Sequence, residues 1–305
     1  MVRTSEVWQP PEGLPPGRFV TPDLAFPDGT TDARPSLWVT DEPVVDPGPL
    51  WARLLRQHPR TGLWPLLLLT LRPYGAALAL LQTQGTRGEL WIQRGARRPW
   101  HSGEFEPVPA ESVDTRDAAE ILARWWNQVT GADSEGRHRD PSWQPFERWP
   151  GLAPVVSAGP GSSATERDAA ADEFAADLIA APGAVAELTG RDSGVHVGLV
   201  RADDGAAALA VCGFISRRGD TSEDAAVIRS WQERFGARLC AVGLDCLALS
   251  VARPPVSAEH CFRVGAEHLA YETREALVEG IDTPLTFEQY SARLSGSRTW
   301  WFWWD

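Results

Sequence analysis

Residues 221–251 read TSEDAAVIRSWQERFGARLCAVGLDCLALSV, and this stretch decides the fold class. Its first half opens with the T-x-x-D pattern of a capping box, carries apolar residues at helical spacing and stops at Gly236, so it predicts an amphipathic helix. Its second half contains two apolar runs, Arg238–Val242 and Cys246–Val251, joined by a short glycine-containing turn. These runs predict a pair of antiparallel strands directly after the helix.

Elements of both kinds continue on either side of this stretch. They are an alanine-rich helix at Thr165–Ala181, a hairpin of Val195–Arg201 and Ala207–Phe214 around Asp204-Gly205, helices capped by Ser257 and by Thr286 with Gln289, and a final strand or cap at Trp300–Asp305. In that final strand, alternation turns Trp300, Phe302 and Trp304 to one side and their neighbours to the other. Hairpins followed by helices predict an α+β fold, in which an antiparallel sheet carries helices packed on one face.

Composition divides the rest of the chain. Residues 1–49 are proline-rich and predict an irregular wrapping segment. Residues 50–131 predict a smaller N-terminal α+β domain, which contains a short helix, three apolar runs forming an antiparallel meander, and a helix capped by Asp114 or Thr115. Residues 132–163 are rich in proline and glycine and predict a connector, after which residues 164–305 form the C-terminal domain.

Charge and residue usage exclude several functions. The net charge of the 305-residue chain is -12, which repels nucleic acid and anionic membranes. The sequence contains no lysine, which rules out the usual phosphate-binding loop, the protein-kinase lysine and Schiff-base enzymes. Four cysteines in apolar surroundings, without a Cys-x-x-Cys pair, predict buried free thiols and a cytoplasmic location.

One leucine-rich stretch, Leu63 to Leu81, is long enough to cross a membrane. Arg72-Pro73 lies at its centre, however, and an arginine at the bilayer midplane costs about 2.5–3.5 kcal/mol on insertion scales. Two buried strands joined by a turn fit this stretch better. We therefore expect no membrane partner.

Three stretches carry a resemblance to a known family: Val227–Gly236 (VIRSWQERFG), Gly265–Ala270 (GAEHLA) and the closing Trp300–Asp305 (WWFWWD). Through them, the chain from about residue 195 to its end resembles the bacterial family catalogued as domain of unknown function 4253. The sequence departs from that family's pattern at Cys212–Phe214, where a Gly-Trp pair is expected, and at Tyr271–Arg274, where a Cys-Pro-Asp segment is expected. The resemblance implies a fold unit and brings no established function with it.

Glu267 and His268, on the helix capped by Ser257, are the candidate catalytic residues. His260 lies eight residues before His268, which is about 12 Å along a helix axis, so one metal ion cannot bridge the two. The alternative interpretation is a hydrogen-bonded, partly buried His268 beside a Glu267 that pairs with an arginine. We predict no metal site.

A second group of polar residues accompanies Trp231 on its helix. Arg229 and Glu233 are four residues apart and can pair with each other. Alternatively, Arg229 or Arg234 can reach Glu267 or the side chain of Asp305, which would form a buried polar network. We expect this network to have a structural role rather than a ligand-binding one.

No cofactor is predicted. Gly159–Ala164 formally matches a dinucleotide-binding fingerprint, but the preceding apolar run is short and no acidic residue closes a second strand at the required distance. The segment is therefore interpreted as a linker.

Three hypotheses about function remain open. The first is a non-catalytic binding or interaction module for a protein or a small ligand, which the acidic charge and 15 tryptophans favour. The second is a hydrolase or transferase with an unfamiliar site built from Glu267, His268, Arg229 and Asp305. The third is a structural scaffold.

Overall fold

The computed structural model describes residues 8–20, 36–69, 107–131, 143, 145–156, 163–190, 194–214, 216, 218–243, 246–272, 277 and 285–303. The strands are β1 (Gly17–Val20), β2 (Leu37–Thr40), β3 (Leu63–Leu69), β4 (Val195–Arg201), β5 (Ala237–Val242), β6 (Cys246–Val251) and β7 (Thr299–Trp303). The α-helices are α1 (Pro47–Thr61), α2 (Ala118–Thr130), α3 (Ala164–Ala180), α4 (Ala184–Thr189), α5 (Gly205–Val211), α6 (Thr221–Phe235), α7 (Ala258–Tyr271) and α8 (Phe287–Arg293).

The seven strands form one sheet in the order β1-β2-β4-β3-β5-β6-β7. Its neighbouring strands are antiparallel except β3 and β5, which pair in parallel. The predicted α+β class with a mostly antiparallel sheet is therefore confirmed.

The centre of the sheet joins parts of the chain that are far apart in sequence. β3 lies between β4 and β5, so a strand from residues 50–131 sits among strands from residues 164–305. All seven residues of β3 are buried, as expected for a central strand. The division into domains at residues 132–163 stays a prediction, although one continuous sheet contains strands from both sides of it.

Helices cover both faces of the sheet, which differs from the predicted one-face arrangement. Arg238 and Leu239 are neighbours on β5 and therefore point to opposite faces. Arg238 pairs with Asp168 and Asp172 on α3, at 3.1 and 2.5 Å. Leu239, Leu249 and Trp300 are paired across β5, β6 and β7 and therefore share the other face. On that face the Trp300 ring contacts Trp231 of α6. Thus α3 packs on one face and α6 on the other.

The hairpin predicted around Asp204-Gly205 is wrong in its second half. The strand Val195–Arg201 is present as β4, but the following residues form helix α5. The Asp204 side chain accepts a hydrogen bond from the Ala207 N–H at 2.7 Å and caps this helix. An Asp-Gly pair suits a hairpin turn, yet an aspartate before a run of alanines also suits a helix start, and here helix propensity prevails.

Two further local predictions are corrected. Asp117, rather than Asp114 or Thr115, caps α2, because its side chain accepts from the N–H groups of Ala119 and Glu120. Asp114 and Thr115 instead lie in a short 3₁₀ helix, Ala110–Thr115.

The N-terminal segment predicted to be irregular supplies the strands β1 and β2, of which β1 forms one edge of the sheet. Trp8 contacts Phe19 edge-to-face with ring centroids 4.8 Å apart, and Trp38 is buried. Of the predicted meander, residues 64–69 of the run Trp64–Leu71 lie in β3, and the rest of that run and the runs Ala76–Gln82 and Glu89–Gln93 lie outside the described residues. Residues 159–162 of the predicted linker also lie outside them. Among the helices that the structure describes, none is both long enough and apolar enough to cross a bilayer.

All four cysteines are free and buried, as predicted. Burial raises the pKa of the Cys212 and Cys240 thiols to about 12 and also raises that of Cys261. Since the thiolate is the reactive species, we expect a thiol reagent to label the native protein about 100-fold more slowly than the guanidinium-unfolded chain. Mass spectrometry after timed labelling measures this, and rapid modification of any cysteine in native buffer would contradict it.

Candidate functional site

The centre of the candidate site is Glu267 on α7, which faces Trp231 and Arg234 on α6. The two α6 residues are three positions apart and therefore share a helix face. Arg234 donates to both carboxylate oxygens of Glu267, Nη1 to Oε1 and Nη2 to Oε2, each at 2.7 Å. The Trp231 indole N–H donates to Oε2, also at 2.7 Å. Glu267 has no exposed surface, and Arg234 is only 7% exposed.

The fourth partner of Glu267 comes from a segment without helix or strand, residues 150–156, which we call the strap. The backbone N–H of Ala153 donates to Oε1 at 2.6 Å, and its carbonyl oxygen accepts from Arg234 Nη1 at 3.0 Å. Two outer bonds hold the strap ends: Arg263 Nη1 donates to the Pro150 carbonyl at 3.1 Å, and the Val156 N–H donates to the Arg234 carbonyl at 3.3 Å. The strap thus closes over the Glu267–Arg234 pair.

This arrangement uses the hydrogen-bonding capacity of the buried carboxylate. A carboxylate has about four lone-pair sites, and Glu267 accepts four hydrogen bonds. A buried ion pair offsets its desolvation cost only when its geometry is good and its remaining polar atoms are satisfied. The two parallel Arg–carboxylate bonds and the bonds to Trp231 and Ala153 meet that condition. Glu267 is therefore positioned to hold the strap.

His268, the next residue on α7, lies in an aromatic cluster on the face of the sheet that α6 covers. Its ring contacts Trp300, Phe302 and Trp231 edge-to-face, with centroids 4.7, 4.9 and 5.4 Å away. The Tyr290 hydroxyl lies 2.9 Å from Nδ1. Burial lowers the pKa of His268 to about 3, so the ring is neutral at physiological pH. A general base is most effective when its pKa lies near the working pH, which this one does not.

A second buried polar group lies nearer the start of α6 and the end of α7. Asp224 and Tyr271 are 6% and 5% exposed, and Ser216 and Arg218 lie beside them. Burial raises the pKa of Asp224 to about 6, against the opposing effects of the Ser216 and Tyr271 hydroxyls and the Arg218 charge. Burial also raises the pKa of Tyr271 well above its usual value, and the Asp224 and Glu272 carboxylates add to this. Neither Asp224 Oδ2 nor the Tyr271 hydroxyl makes a hydrogen bond of ordinary geometry with the described residues.

The raised pKa of Asp224 predicts an unusual pH dependence. Between about pH 4 and pH 6 the folded state holds a proton that the unfolded chain releases. The contribution of this group to stability is therefore complete below pH 4 and is lost as the pH rises through 6. We expect the free energy of unfolding of the parent, relative to that of the Asp224→Asn variant, to fall by up to about 3 kcal/mol between pH 4 and pH 7. Urea unfolding of both proteins at each pH measures this.

The same change at the exposed Asp203 is the control for altering the net charge by one. A difference between the Asp224→Asn variant and the parent that stays constant across this pH range would contradict the prediction.

The remaining candidate residues lie elsewhere or outside the described ranges. Arg229 pairs with Asp114 and, at 3.3 Å, with Asp204, rather than with Glu233 or Glu267. Glu233 is exposed. Asp305 lies outside the described residues. Of the predicted network, the structure thus brings together Glu267, Arg234 and Trp231, with His268 packed against Trp231.

Within the described ranges, no three His, Cys, Asp or Glu residues are grouped so that they could hold a metal ion. His260, eight residues before His268, instead packs its ring on Phe235 with centroids 5.7 Å apart.

Two parts of the site were missed by reasoning from sequence. Tyr271 follows Glu267 by four residues, and Asp224 precedes Trp231 by seven, so helical spacing would have placed both on the inner faces of their helices. The strap had a weaker signal. The connector carries three aromatic residues, Trp143, Phe146 and Trp149, which are typical of a segment that packs on other residues, but nothing in the sequence identifies Ala153 as the residue that Glu267 holds.

Comparison with known proteins confirms the sequence resemblance but adds no activity. No curated protein and no solved structure matches this chain. A family model does match part of the chain. That part begins within β4 and includes α6, α7 and β7, and hence every residue of the site except the strap. Residues 196–305 match the family model described as Domain of unknown function (DUF4253).

Proposed function

We propose that this chain is a non-catalytic binding module whose partner is another protein. The observation that carries the proposal is the use of Glu267: all four of its hydrogen bonds are made to groups of the chain itself, two of them in an ion pair with Arg234. A carboxylate so engaged serves to hold a backbone segment in place. Neutral His268 beside it supports the same view.

The enzyme hypothesis receives less support from the described residues. Arg229 lies on a different face of α6 from Trp231 and Arg234 and bonds to Asp114 and Asp204. Of the four residues of that hypothesis, Glu267 and His268 are adjacent, Arg229 pairs with other residues, and Asp305 lies outside the described residues.

Trp301 is the surface residue that best fits a protein contact. It is 43% exposed, although its neighbours on β7, Trp300 and Phe302, are 2% and 1% exposed. A partly exposed indole on a rigid strand offers a large contact area with little conformational entropy to lose, and tryptophan is enriched in interface hot spots. The net charge of -12 favours a partner with a basic surface.

The test compares partners captured by the tagged full chain and by its Trp301→Ala variant in the native host. We expect at least one protein to be retained by the parent and lost from the variant, while both remain folded at the temperature of the capture. Val45→Ala is a matched control, because Val45 is also an exposed apolar residue. Identical partner profiles for the parent and for Trp301→Ala would refute this surface as the binding site.

A further inference from the structure

We propose that the groove between α6 and α7 that holds the strap is itself a peptide-binding site, which a partner protein enters as an extended segment with a small residue followed by proline. This inference rests on the proposed binding function and specifies the partner. The strap, in this view, is a segment of the chain that occupies its own binding groove.

The hydrogen bonds in the groove are made to backbone atoms. Glu267 and Arg234 bind the N–H and the carbonyl of Ala153, Arg263 binds the carbonyl of Pro150, and the Arg234 carbonyl binds the N–H of Val156. Four backbone groups are thus held along seven residues. Recognition of extended peptides by proteins commonly takes its affinity from such main-chain bonds and its specificity from a few side-chain pockets.

The side chains of the strap indicate what a competing peptide must resemble. Ala153 is 1% exposed beneath Glu267, so the central residue must be small. Pro154 and Val155 are exposed, and Val155 keeps 60% of its surface. Because proline has no N–H, the position after the central residue presents no donor that needs a partner. The main-chain bonds would be shared by any peptide with a small residue and a proline at these positions, and the half-buried Leu152 and Val156, which pack against the core, add apolar contacts.

Attachment within one chain gives the strap an advantage over an external peptide. A tethered segment acts at an effective concentration on the order of millimolar, so a partner must bind more tightly than the strap or arrive when the strap has opened. Opening uncovers the Glu267–Arg234 pair, and leaving it without the Ala153 bonds is costly. The groove is therefore self-blocked, and a partner segment exchanges with the strap instead of adding to it.

The experiment uses the full chain and a fluorescent peptide with the sequence of residues 147–157. Ala153→Asp places a carboxylate against Glu267 and is expected to release the strap. We expect the peptide to bind this variant at least about tenfold more tightly than the parent, because tethered competition is removed. A peptide with N-methylalanine at the position of Ala153 lacks the N–H that Glu267 accepts and is expected not to bind either protein.

A second measurement does not depend on how well the variant folds. The backbone N–H of Ala153, bonded to Glu267, is followed by NMR in the isotope-labelled parent while unlabelled peptide is raised to millimolar concentration. A second Ala153 resonance, from straps that the peptide has displaced, is expected to grow with the peptide and not with its N-methyl analogue.

Absence of that second resonance, together with absence of binding to a folded Ala153→Asp variant, would overturn the proposal. A parent protein that binds no peptide but dimerises by exchanging straps would assign the groove to a second copy and would also overturn it. Neither result bears on the Trp301 experiment, so failure of the groove and failure of the general binding function are distinguishable.

Discussion

Replacing Glu267 with leucine is expected to lower the free energy of unfolding by about 3–5 kcal/mol. The variant leaves Arg234 as a buried cation without its counter-charge, and it removes the acceptor for Trp231 and for the Ala153 N–H. Each buried donor left without a partner adds a cost of about 1–3 kcal/mol, although these costs are not additive. Chemical denaturation of the parent and the variant at one pH measures the difference.

Two further variants make this test specific. Glu233→Leu alters an exposed glutamate on α6 and should change stability by less than about 0.5 kcal/mol. Glu267→Leu combined with Arg234→Met removes both charges, and we expect it to be more stable than the sum of the single changes implies, because no unpaired charge is then buried. A Glu267→Leu protein within about 1 kcal/mol of the parent would show that this network is not a structural lock.

Removing residues 300–305 is expected to have a larger effect and to unfold the region built on β5, β6 and β7. Phe302 stacks on Trp231 with centroids 5.1 Å apart and planes 12° apart, and Trp300 contacts Trp231, Phe235 and His268. Loss of one buried aromatic side chain costs about 3–5 kcal/mol, and the total stability of a domain is typically about 5–15 kcal/mol. The deletion also removes the partner strand of β6.

Trp300→Ala and Trp301→Ala form the matched pair for this prediction, because they are adjacent on β7 and differ in burial. We expect Trp300→Ala to lose about 3–5 kcal/mol and Trp301→Ala about 1 kcal/mol or less. Circular dichroism during thermal unfolding reports both, and limited proteolysis reports the deletion. A deletion variant with the parent's melting temperature would show that β7 contributes little to the core.

Several features of the fold were predictable because their signals are local. Ser257 and Thr286 cap α7 and α8 as predicted, since a capping side chain needs only the backbone N–H groups two or three residues ahead of it. The alternation of Trp300, Trp301 and Phe302 between buried and exposed follows from the two-residue period of a strand. The hairpin predicted around Asp204-Gly205 was wrong because so short a pattern is compatible with both a turn and a helix start.

The candidate site was partly predictable. Reasoning from sequence selected Glu267, His268, Trp231 and Arg234 and raised an arginine–Glu267 pair as one alternative. It placed Arg229 in equal competition with Arg234, because the direction of a side chain from a helix is known only relative to that helix. The crossing of α6 over α7 decides that Arg234 reaches Glu267.

By itself, then, the sequence determined the α+β class, the end of α6 before Gly236, the bounds of β6, the buried free thiols and the closing strand, since these depend on periodicity, caps and composition within a few residues. The tertiary structure alone decided that β3 lies between β4 and β5, that helices cover both faces of the sheet, and that Glu267 holds Ala153. The last contact joins residues 114 positions apart. Contacts of this kind depend on how whole elements pack against one another, and no local pattern in the chain encodes that packing.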